Sequence, residues 1–272
     1  MPFLATPPRP GREAWADSDR LLANRARGRR LALLIAGLVA ALAACGPPRA
    51  LGRIALAAPF EGRERAIGYA AFPAMRLALR DAIPEAPIDF IAFNDDGNPA
   101  RAARVAADIV RDPAVLLVIG HGALSTTLAA LPVYAAAGMP IIVIGALPDG
   151  VPVRAGVFVL SPSQATLAAC ARAAGRSCAE GVDLGRSAQV DRALVGFTEV
   201  SGGARPSRGS AVALDATRLA IAAIQSAASR GAPTRASVAA ALASARVKGV
   251  LGEIHFDQNG RWPEAPAFPV DP

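Results

Sequence analysis

The chain has 272 residues, of which 53% are apolar and 5% aromatic, and its formal net charge is +7. This apolar content is too high for a disordered chain and predicts a packed core. Residues 1–44 hold seven arginines and three acidic residues, so the other 228 residues carry 22 basic and 19 acidic side chains. Such a balanced chain lacks the basic stripe with stacking rings that nucleic acids require, which excludes nucleic-acid binding.

Residues 1–44 have the features of a secretory signal peptide. Residues 31–44 are fourteen residues without a charge, too few to span a membrane as a stable helix. They follow a cluster of arginines, as in a signal peptide: Arg25, Arg27, Arg29 and Arg30. Cys45 then follows Leu42-Ala43-Ala44, which resembles the lipobox of bacterial lipoproteins. The resemblance implies acylation of Cys45 and a lipid-anchored protein on the periplasmic or extracytoplasmic face of a bacterial envelope.

Cys170 and Cys178 would then lie in an oxidising compartment, where disulfides persist. On one straight helix they would stand about 12 Å apart, too far for a disulfide, but Gly175 could end the helix between them. Two alternatives remain open: a disulfide, or two unpaired buried thiols. The sequence has no Cys-x-x-Cys motif and no Cys/His cluster, so we expect neither a metal site nor a cofactor.

From residue 53 onward, short apolar runs alternate with helical periodicity, which predicts an α/β fold with helices on both faces of a parallel sheet. The predicted strands are Arg53–Ala57, Ile88–Phe93, Val115–Ile119, Ile141–Ile144, Val157–Leu160 and Gly252–Phe256. The predicted helices are about 71–82, one starting after the N-cap Asn98, one ending near Gly138, and about 163–174, 211–230 and 235–245. The unbroken apolar run Val115–Ile119 predicts a central strand.

Residues 175–210 are rich in Gly, Ser and Arg. This composition predicts a poorly ordered loop, or at most a small hairpin formed by Ala193–Gly196 and Phe197–Val200.

Several motifs occur together along the chain. They are Ile54–Pro59 with Gly62 and Gly68, Asp95-Asp96 with Asn98-Pro99, Val118–Gly120 with the Ser125-Thr126-Thr127 loop, Pro132–Ile141, Asp215-Ala216 opening a helix, and Gly252-x-Ile254-x-Phe256-Asp257-x-Asn259-Gly260. In this order they resemble the type I periplasmic binding proteins, the Venus-flytrap family, of the branched-chain amino-acid transporter type. Members of this family have two α/β lobes with the ligand between them.

The resemblance implies a division of the chain. Residues 45–165 and 211–262 would form the first lobe. Residues 166–210 would be a reduced remnant or linker in place of the second lobe, because about 45 residues are too few for a domain of ordinary size. We therefore expect one flytrap lobe with a reduced second lobe.

The resemblance also implies the substrate-binding lipoprotein of an ABC importer, with a small solute such as an amino acid and a permease as partners. The candidate ligand-binding residues are Ser125, Thr126, Thr127, Gly145 and Ala146. The hydroxyls of residues 125–127 could also cap the following helix, and the two roles are compatible. Leu124 and Leu147 occupy positions where relatives carry hydroxyl side chains, so part of the cradle is apolar.

Two further hypotheses come from other classes. A single lobe could be a protein-interaction or signalling lipoprotein without a transport role, and could form a homodimer. An enzyme would need His121 beside Ser125, oriented by Asp95 or Asp96, but the Gly-x-Ser-x-Gly motif is absent. We therefore predict no enzyme, with a loop hydrogen-bonding role for His121 and solvated loop positions for the two aspartates.

Overall fold

The computed structural model describes residues 50–82, 87–180 and 188–270, so the predicted signal peptide and Cys45 lie outside the described residues. The strands are β1 Gly52–Ala58, β2 Ile88–Asn94, β3 Val115–Gly120, β4 Ile141–Val143, β5 Val157–Val159, β6 Cys178–Glu180, β7 Val247–Lys248, β8 Glu253–Ile254 and β9 Ala267–Pro269. The helices are α1 Arg65–Ala82, α2 Pro99–Arg111, α3 Leu124–Ala136, α4 Gln164–Ala174, α5 Ala188–Ala193, α6 Phe197–Val200, α7 Arg208–Ala228 and α8 Arg235–Ala243.

Strands β1 to β5 form one parallel sheet in the order β2-β1-β3-β4-β5. The predicted α/β class and the central position of β3 are therefore confirmed. All six residues of β3 are buried, as expected for a strand covered by helices on both faces. The N-cap at Asn98 is also confirmed, since its side chain accepts a hydrogen bond from the Arg101 N–H at 3.0 Å.

The core has two parts, one on each face of the sheet. Alternate residues of β1 divide between them, because successive side chains of a strand point to opposite faces. Ile54 and Leu56 pack in the cluster that includes α1 and α7, while Ala55 and Ala57 pack in the cluster that includes α2 and α3. Helix α7 is the one helix of the described chain that is long and apolar enough to cross a membrane, but most of it is buried in this core.

The expected hairpin around residue 197 is wrong. The described residues 188–200 form helices α5 and α6, and α6 packs on α1, where Arg80 pairs with Glu199 at 3.3 Å. Val190, Leu194 and Phe197 are each at most 5% exposed. They are spaced by four and three residues, which is the helical period. The Gly- and Ser-rich composition hid this signal, and the expectation of poor order fails for these residues.

Helix α4 has no fully buried residue; one face of it is half-buried and packs on β6 and β9. Gly175 ends α4 in the left-handed conformation, at φ 63°, and the chain turns back into β6, which pairs with β9. A disulfide joins Cys170 to Cys178, with 6.1 Å between their Cα atoms. The disulfide therefore ties α4 to β6 at a place where the packing is shallow.

Two predicted details near the end of the chain are wrong. Asp215 does not open a helix but is the eighth residue of α7, fully buried. Its carboxylate accepts hydrogen bonds from the Val250 and Leu251 N–H groups at 2.9 and 2.8 Å. The expected strand at Gly252–Phe256 is reduced to Glu253–Ile254, paired with β7.

Candidate functional site

The candidate site lies at the carboxyl-terminal ends of β1 to β4, where open parallel sheets bind ligands. We call this surface the ligand edge and define it as residues 59–62, 94–98, 121–127 and 145–148. Its loops approach one another at backbone level. A Cβ atom on Gly120 would stand 2.1 Å from the Ala57 carbonyl oxygen, and one on Gly145 would stand 2.2 Å from the Gly122 carbonyl oxygen. Only glycine fits at these two positions.

A buried polar chain runs beneath this edge. The Nδ1 atom of His121 lies 2.6 Å from the Oδ2 atom of Asp95, and its Nε2 atom lies 3.0 Å from the Tyr134 hydroxyl oxygen. Asp95 and His121 are fully buried and Tyr134 is 1% exposed. The other Asp95 oxygen accepts from the Gly97 N–H at 2.9 Å. The chain links the loop after β2, the loop after β3 and the last turn of α3.

The protonation of this chain follows from the tyrosine. Burial, and next the negative charge of Asp95, raise the pKa of the Tyr134 hydroxyl above its ordinary value. Tyr134 therefore keeps its proton and can donate it to Nε2 of His121, while a proton on Nδ1 is donated to Asp95. Each ring nitrogen of His121 then has a partner, as a buried polar group requires.

The arrangement rules out the Ser-His-acid hypothesis in its expected form. Asp95 does orient His121, but Nε2 is engaged by Tyr134 and the ring is closed to solvent, whereas Ser125 is exposed. The expected hydrogen-bonding role of His121 agrees with the structure.

The expectation of solvated aspartates is wrong for Asp95, which is buried. Asp96 turns away in the left-handed conformation, at φ 53°, and forms an ion pair with Arg101. The Asn94 side-chain oxygen accepts from the N–H groups of Phe60 and Asp96 at 2.9 and 3.0 Å. The loop after β2 is therefore fixed by its own polar side chains.

The candidate hydroxyl residues do not cap α3. The N-cap residue is Ala123, which has no side chain that can accept from the first turn. The Thr126 and Thr127 hydroxyls each donate to the Ala123 carbonyl at 2.9 Å, and Thr127 also lies 3.2 Å from the His121 carbonyl. Both threonines are buried, and Ser125 is the exposed hydroxyl of the three. The first N–H groups of α3 are left for water or for an anion.

The loop after β4 offers little polar surface. Gly145 is buried, Ala146 is exposed, and Leu147 is 2% exposed with its N–H donating to the Ser161 hydroxyl at 3.3 Å. Arg261, which the sequence analysis did not single out, donates to the carbonyls of Leu147 and Pro148 at 3.0 and 2.9 Å. Arg261 follows Leu147 and Pro148 by more than 110 residues in the sequence, so no local pattern could reveal these hydrogen bonds.

The part of the ligand edge formed by the loops after β3 and β4 thus offers a small set of groups: the first-turn N–H groups of α3, the Ser125 hydroxyl, and the apolar side chains of Leu124 and Ala146. Leu124 is 39% exposed. Within residues 50–82, 87–180 and 188–270, no group of three or more His, Cys, Asp or Glu side chains could hold a metal ion. These groups suit hydrogen bonding to a small anion beside an apolar body.

The similarity of the chain to known proteins agrees with a site for a small solute. The sequence model of the periplasmic binding protein family matches residues 53–187. No curated protein matches the chain.

Solved structures of similar fold include the branched-chain amino-acid transporter substrate-binding protein LivJ from Streptococcus pneumoniae, in complex with isoleucine. It has a TM-score of 0.63 and 15% identity, over 81% of this chain and 99% of that one. A leucine-binding protein, LivK, from Thermotoga maritima has a TM-score of 0.62 and 13% identity, over 81% of this chain and 98% of that one. An ABC-transporter solute-binding protein from R. palustris, in complex with benzoate, has a TM-score of 0.65 and 14% identity, over 80% of this chain and 92% of that one.

The five-stranded parallel sheet and its ligand edge define a type I periplasmic-binding fold, as found in these three structures. The matched segment runs from β1 through α4 and β6, and so contains every strand of the large sheet. The chain belongs to the periplasmic binding protein family.

Proposed function

We propose that the chain is an extracytoplasmic solute-binding lipoprotein that works with the permease of an ABC importer. The family match over residues 53–187 carries this proposal, because it includes all the loops of the ligand edge. The neighbours that bind isoleucine and benzoate share one chemical group, a carboxylate, and a carboxylate is also what the open first turn of α3 favours.

The apolar side chains favour one kind of carboxylate. Leu124 lies at the first turn of α3, and Leu147 fills the loop after β4, so neither offers a hydroxyl to an ammonium group. An unpaired charge away from water is costly, and a zwitterion would leave its ammonium without a partner on these two sides. The proposed solute is therefore a small carboxylate with an apolar body, held through the first-turn N–H groups and Ser125 and flanked by Gly145 and Ala146.

A thermal-shift and calorimetric comparison of benzoate with leucine tests the solute. We expect benzoate to bind more tightly than leucine, and we expect Leu124→Ser to narrow the difference. Leu128→Ser, which changes an equally exposed leucine one turn further along α3, is the matched control. Tighter binding of leucine by the unchanged chain would contradict the proposed solute class.

The anchor is tested separately. We expect protein extracted from membranes to start at Cys45 with an acyl modification, and Cys45→Ser to abolish both cleavage at this position and acylation. Intact mass distinguishes these forms. An unmodified chain starting at Met1 in the membrane fraction would refute the lipoprotein.

A second candidate function is that of a protein-interaction lipoprotein, and one observation favours it. Leu124 and Leu128, one helical turn apart on α3, are 39% and 43% exposed, and Leu128 lines a groove of about 200 Å³ between α3 and Val151-Pro152. If two copies bind each other through this surface, sedimentation should show a dimer that Leu128→Glu converts to a monomer. A monomer at every concentration would remove this candidate.

A further inference from the structure

Strand β2 is the outer strand on one side of the five-stranded sheet, and among the described residues it pairs only with β1. The Asp95 N–H, directly after β2, donates to the Ala58 carbonyl of β1 at 3.2 Å. The backbone groups of successive residues point to opposite sides of a strand, so the odd-numbered residues of β2 direct theirs toward β1. The N–H and carbonyl groups of Ile88, Phe90 and Ala92 therefore point outward, and no residue of the described chain bonds to them.

The outer side of β2 lacks the features that normally prevent such a strand from pairing. Phe90 is half-buried on the sheet face that carries α1, and Ile91 and Phe93 are half-buried on the face that carries α2. The seven residues of β2 include no lysine and no proline, and their one charge is Asp89, which lies 3.6 Å from Arg53. Natural proteins usually protect an outer strand with such residues, because an unpaired strand recruits another one. The composition of β2 therefore suits pairing with a further strand.

A groove of about 460 Å³ lies between β2 and α2 and carries charges of both signs. Arg104 and Asp108 line it, are exposed and stand one helical turn apart. Asp108 pairs with Arg111 of its own helix at 2.6 Å, whereas Arg104 has no ion pair within the described residues. The other arginine of the groove, Arg101, pairs with Asp96. Arg104 is thus a cation without a partner, one turn from an accessible carboxylate.

These two charges lie at the level of the middle of β2. The Arg101 Nε atom donates to the Asn94 carbonyl at 3.0 Å, so the first turn of α2 lies beside the end of β2. Helix α2 then runs back along the strand. The midpoint between Arg104 and Asp108 follows five residues later, about 7.5 Å further on. This distance corresponds to about two residues of a strand, which places the midpoint beside Ile91-Ala92.

We propose that a second copy of this chain binds here, with the two β2 strands antiparallel about a two-fold axis at the level of Ile91-Ala92. The outward N–H and carbonyl groups of each strand then pair with those of the other. The same axis brings Arg104 of each copy opposite the partner's Asp108, so the interface is complementary to itself in charge as well as in backbone pairing. The loops after β3 and β4 lie on strands two and three positions from β2, so they stay outside the interface and open to a solute.

Charge exchange tests this pairing on the full chain. Two copies with different carboxyl-terminal tags are produced in the same cells, and the amount of one copy retained with the other is measured after detergent extraction. We expect unchanged copies to be retained together. Arg104→Asp in both copies places acid opposite acid, and Asp108→Arg in both places arginine opposite arginine, so each change should reduce retention at least about tenfold.

The mixed pair decides whether these two residues meet. One Arg104→Asp copy with one Asp108→Arg copy has opposite charges at both contacts, and we expect retention to recover. Because each variant is the control for the other, a general loss of folding would not show this recovery. No retention of unchanged copies, or no recovery in the mixed pair, would overturn the proposal.

The strand is tested by Ala92→Pro. Proline removes the outward N–H of residue 92, leaves the N–H groups that bond to β1 in place, and is tolerated on outer strands. We expect this variant to keep its unfolding temperature within a few degrees and to lose retention at least about tenfold. Leu128→Glu is the control on another exposed apolar surface and should leave retention unchanged. Full retention of the folded Ala92→Pro chain, or loss with Leu128→Glu, would overturn pairing through β2; if Ala92→Pro does not fold, the mixed charge pair decides.

Discussion

His121 and Asp95 are 26 residues apart in the sequence, yet Nδ1 of the histidine lies 2.6 Å from the aspartate carboxylate, and neither side chain is exposed. The pair joins the loop after β2 to the loop after β3. Tyr134 extends the link into α3. Buried polar groups thus fix the geometry of the ligand edge from below, in addition to the Asn94 hydrogen bonds and the Asp96–Arg101 ion pair within the loop after β2.

Replacing His121 should be costly. His121→Phe leaves the buried Asp95 carboxylate with the Gly97 N–H but without its ring partner, and breaking such a buried pair costs about 3 kcal/mol or more. Urea unfolding of residues 45–272 measures the loss. The control is His255→Phe: His255 lies 3.4 Å from Glu264, whose side chain is 64% exposed, so this pair should contribute little. Equal effects of the two substitutions would contradict the structural role of His121.

The tyrosine hydroxyl can be tested by itself. Tyr134→Phe keeps the ring but leaves Nε2 of His121 without its donor, which should cost about 1–3 kcal/mol of unfolding free energy. Tyr69→Phe is the matched control, because Tyr69 is 62% exposed. A Tyr134→Phe protein as stable as the Tyr69→Phe protein would show that the hydroxyl bond does not contribute.

The disulfide should matter locally. Closing a loop of this length is worth about 2.5 kcal/mol in the chain-entropy account, and α4 has no buried residue to replace it. The double variant Cys170→Ser/Cys178→Ser should therefore exchange the amide hydrogens of residues 164–174 much faster, while those of β3 stay protected. Reduction of the unchanged protein should reproduce this pattern. Protection of α4 without the bond would show that packing alone holds it.

Asp215 should make the free energy of unfolding depend on pH, and the direction of that dependence follows from the pKa of its carboxyl group. Burial is the main reason that its carboxyl pKa is raised above the ordinary 3.8, while the hydrogen bonds from Val250 and Leu251 and the charge of Arg218 oppose the shift. A raised pKa means that the folded state binds the proton more tightly than the unfolded state. The contribution of Asp215 to stability therefore grows as the pH falls through its raised pKa and is complete below 3.8.

Asp215→Asn makes that contribution measurable. The amide can accept from one of the two N–H groups and leaves the other unpaired, which should cost about 1–3 kcal/mol at pH 7. Because asparagine does not titrate, the stability difference between the two proteins should widen from pH 7 toward pH 4 in parallel urea titrations. A difference that narrows over this range would reverse the sign argued here.

The sheet could be predicted from the sequence because its signals are local. Val115–Ile119 is an unbroken run of apolar residues and forms a central strand. Asn98 directly before Pro99 marks the start of a helix, and this signal is contained in a segment of four residues. The buried chain could not be predicted in the same way, because Asp95 and Tyr134 meet His121 only after β2, β3 and α3 have packed. The helices around Phe197 did carry a local signal, the spacing of Val190, Leu194 and Phe197, but turn-forming residues nearby obscured it.

The ligand-edge residues show a related limit. The run Ser125-Thr126-Thr127 predicts hydroxyl groups near a helix start, but the sequence does not say which way they point. Two of the three hydroxyls donate to the Ala123 carbonyl and so are not free to donate to a solute. Their direction depends on where α3 begins, and Ala123 at that position has none of the side chains that usually mark a helix start.

The affinity for branched-chain amino acids should be weak. The groups available for a carboxylate are the first-turn N–H groups of α3 and the Ser125 hydroxyl, and three such contacts averaging about 1.5 kcal/mol sum to about 4–5 kcal/mol before ordering costs. This corresponds to a Kd near or above 1 mM. Leu124 and Leu147 contribute no partner for an ammonium group, which lowers the affinity further.

Calorimetry on residues 45–272 checks this expectation with leucine, isoleucine and valine. We expect no binding in the micromolar range. Leu124→Ser places a hydroxyl on the exposed first turn of α3 and should strengthen binding of all three, whereas Leu128→Ser should leave it unchanged, because Leu128 lies one turn away from the edge. A Kd of 10 μM or tighter for the unchanged protein would mean that a second surface closes over the solute, because the ligand edge alone does not offer enough contacts.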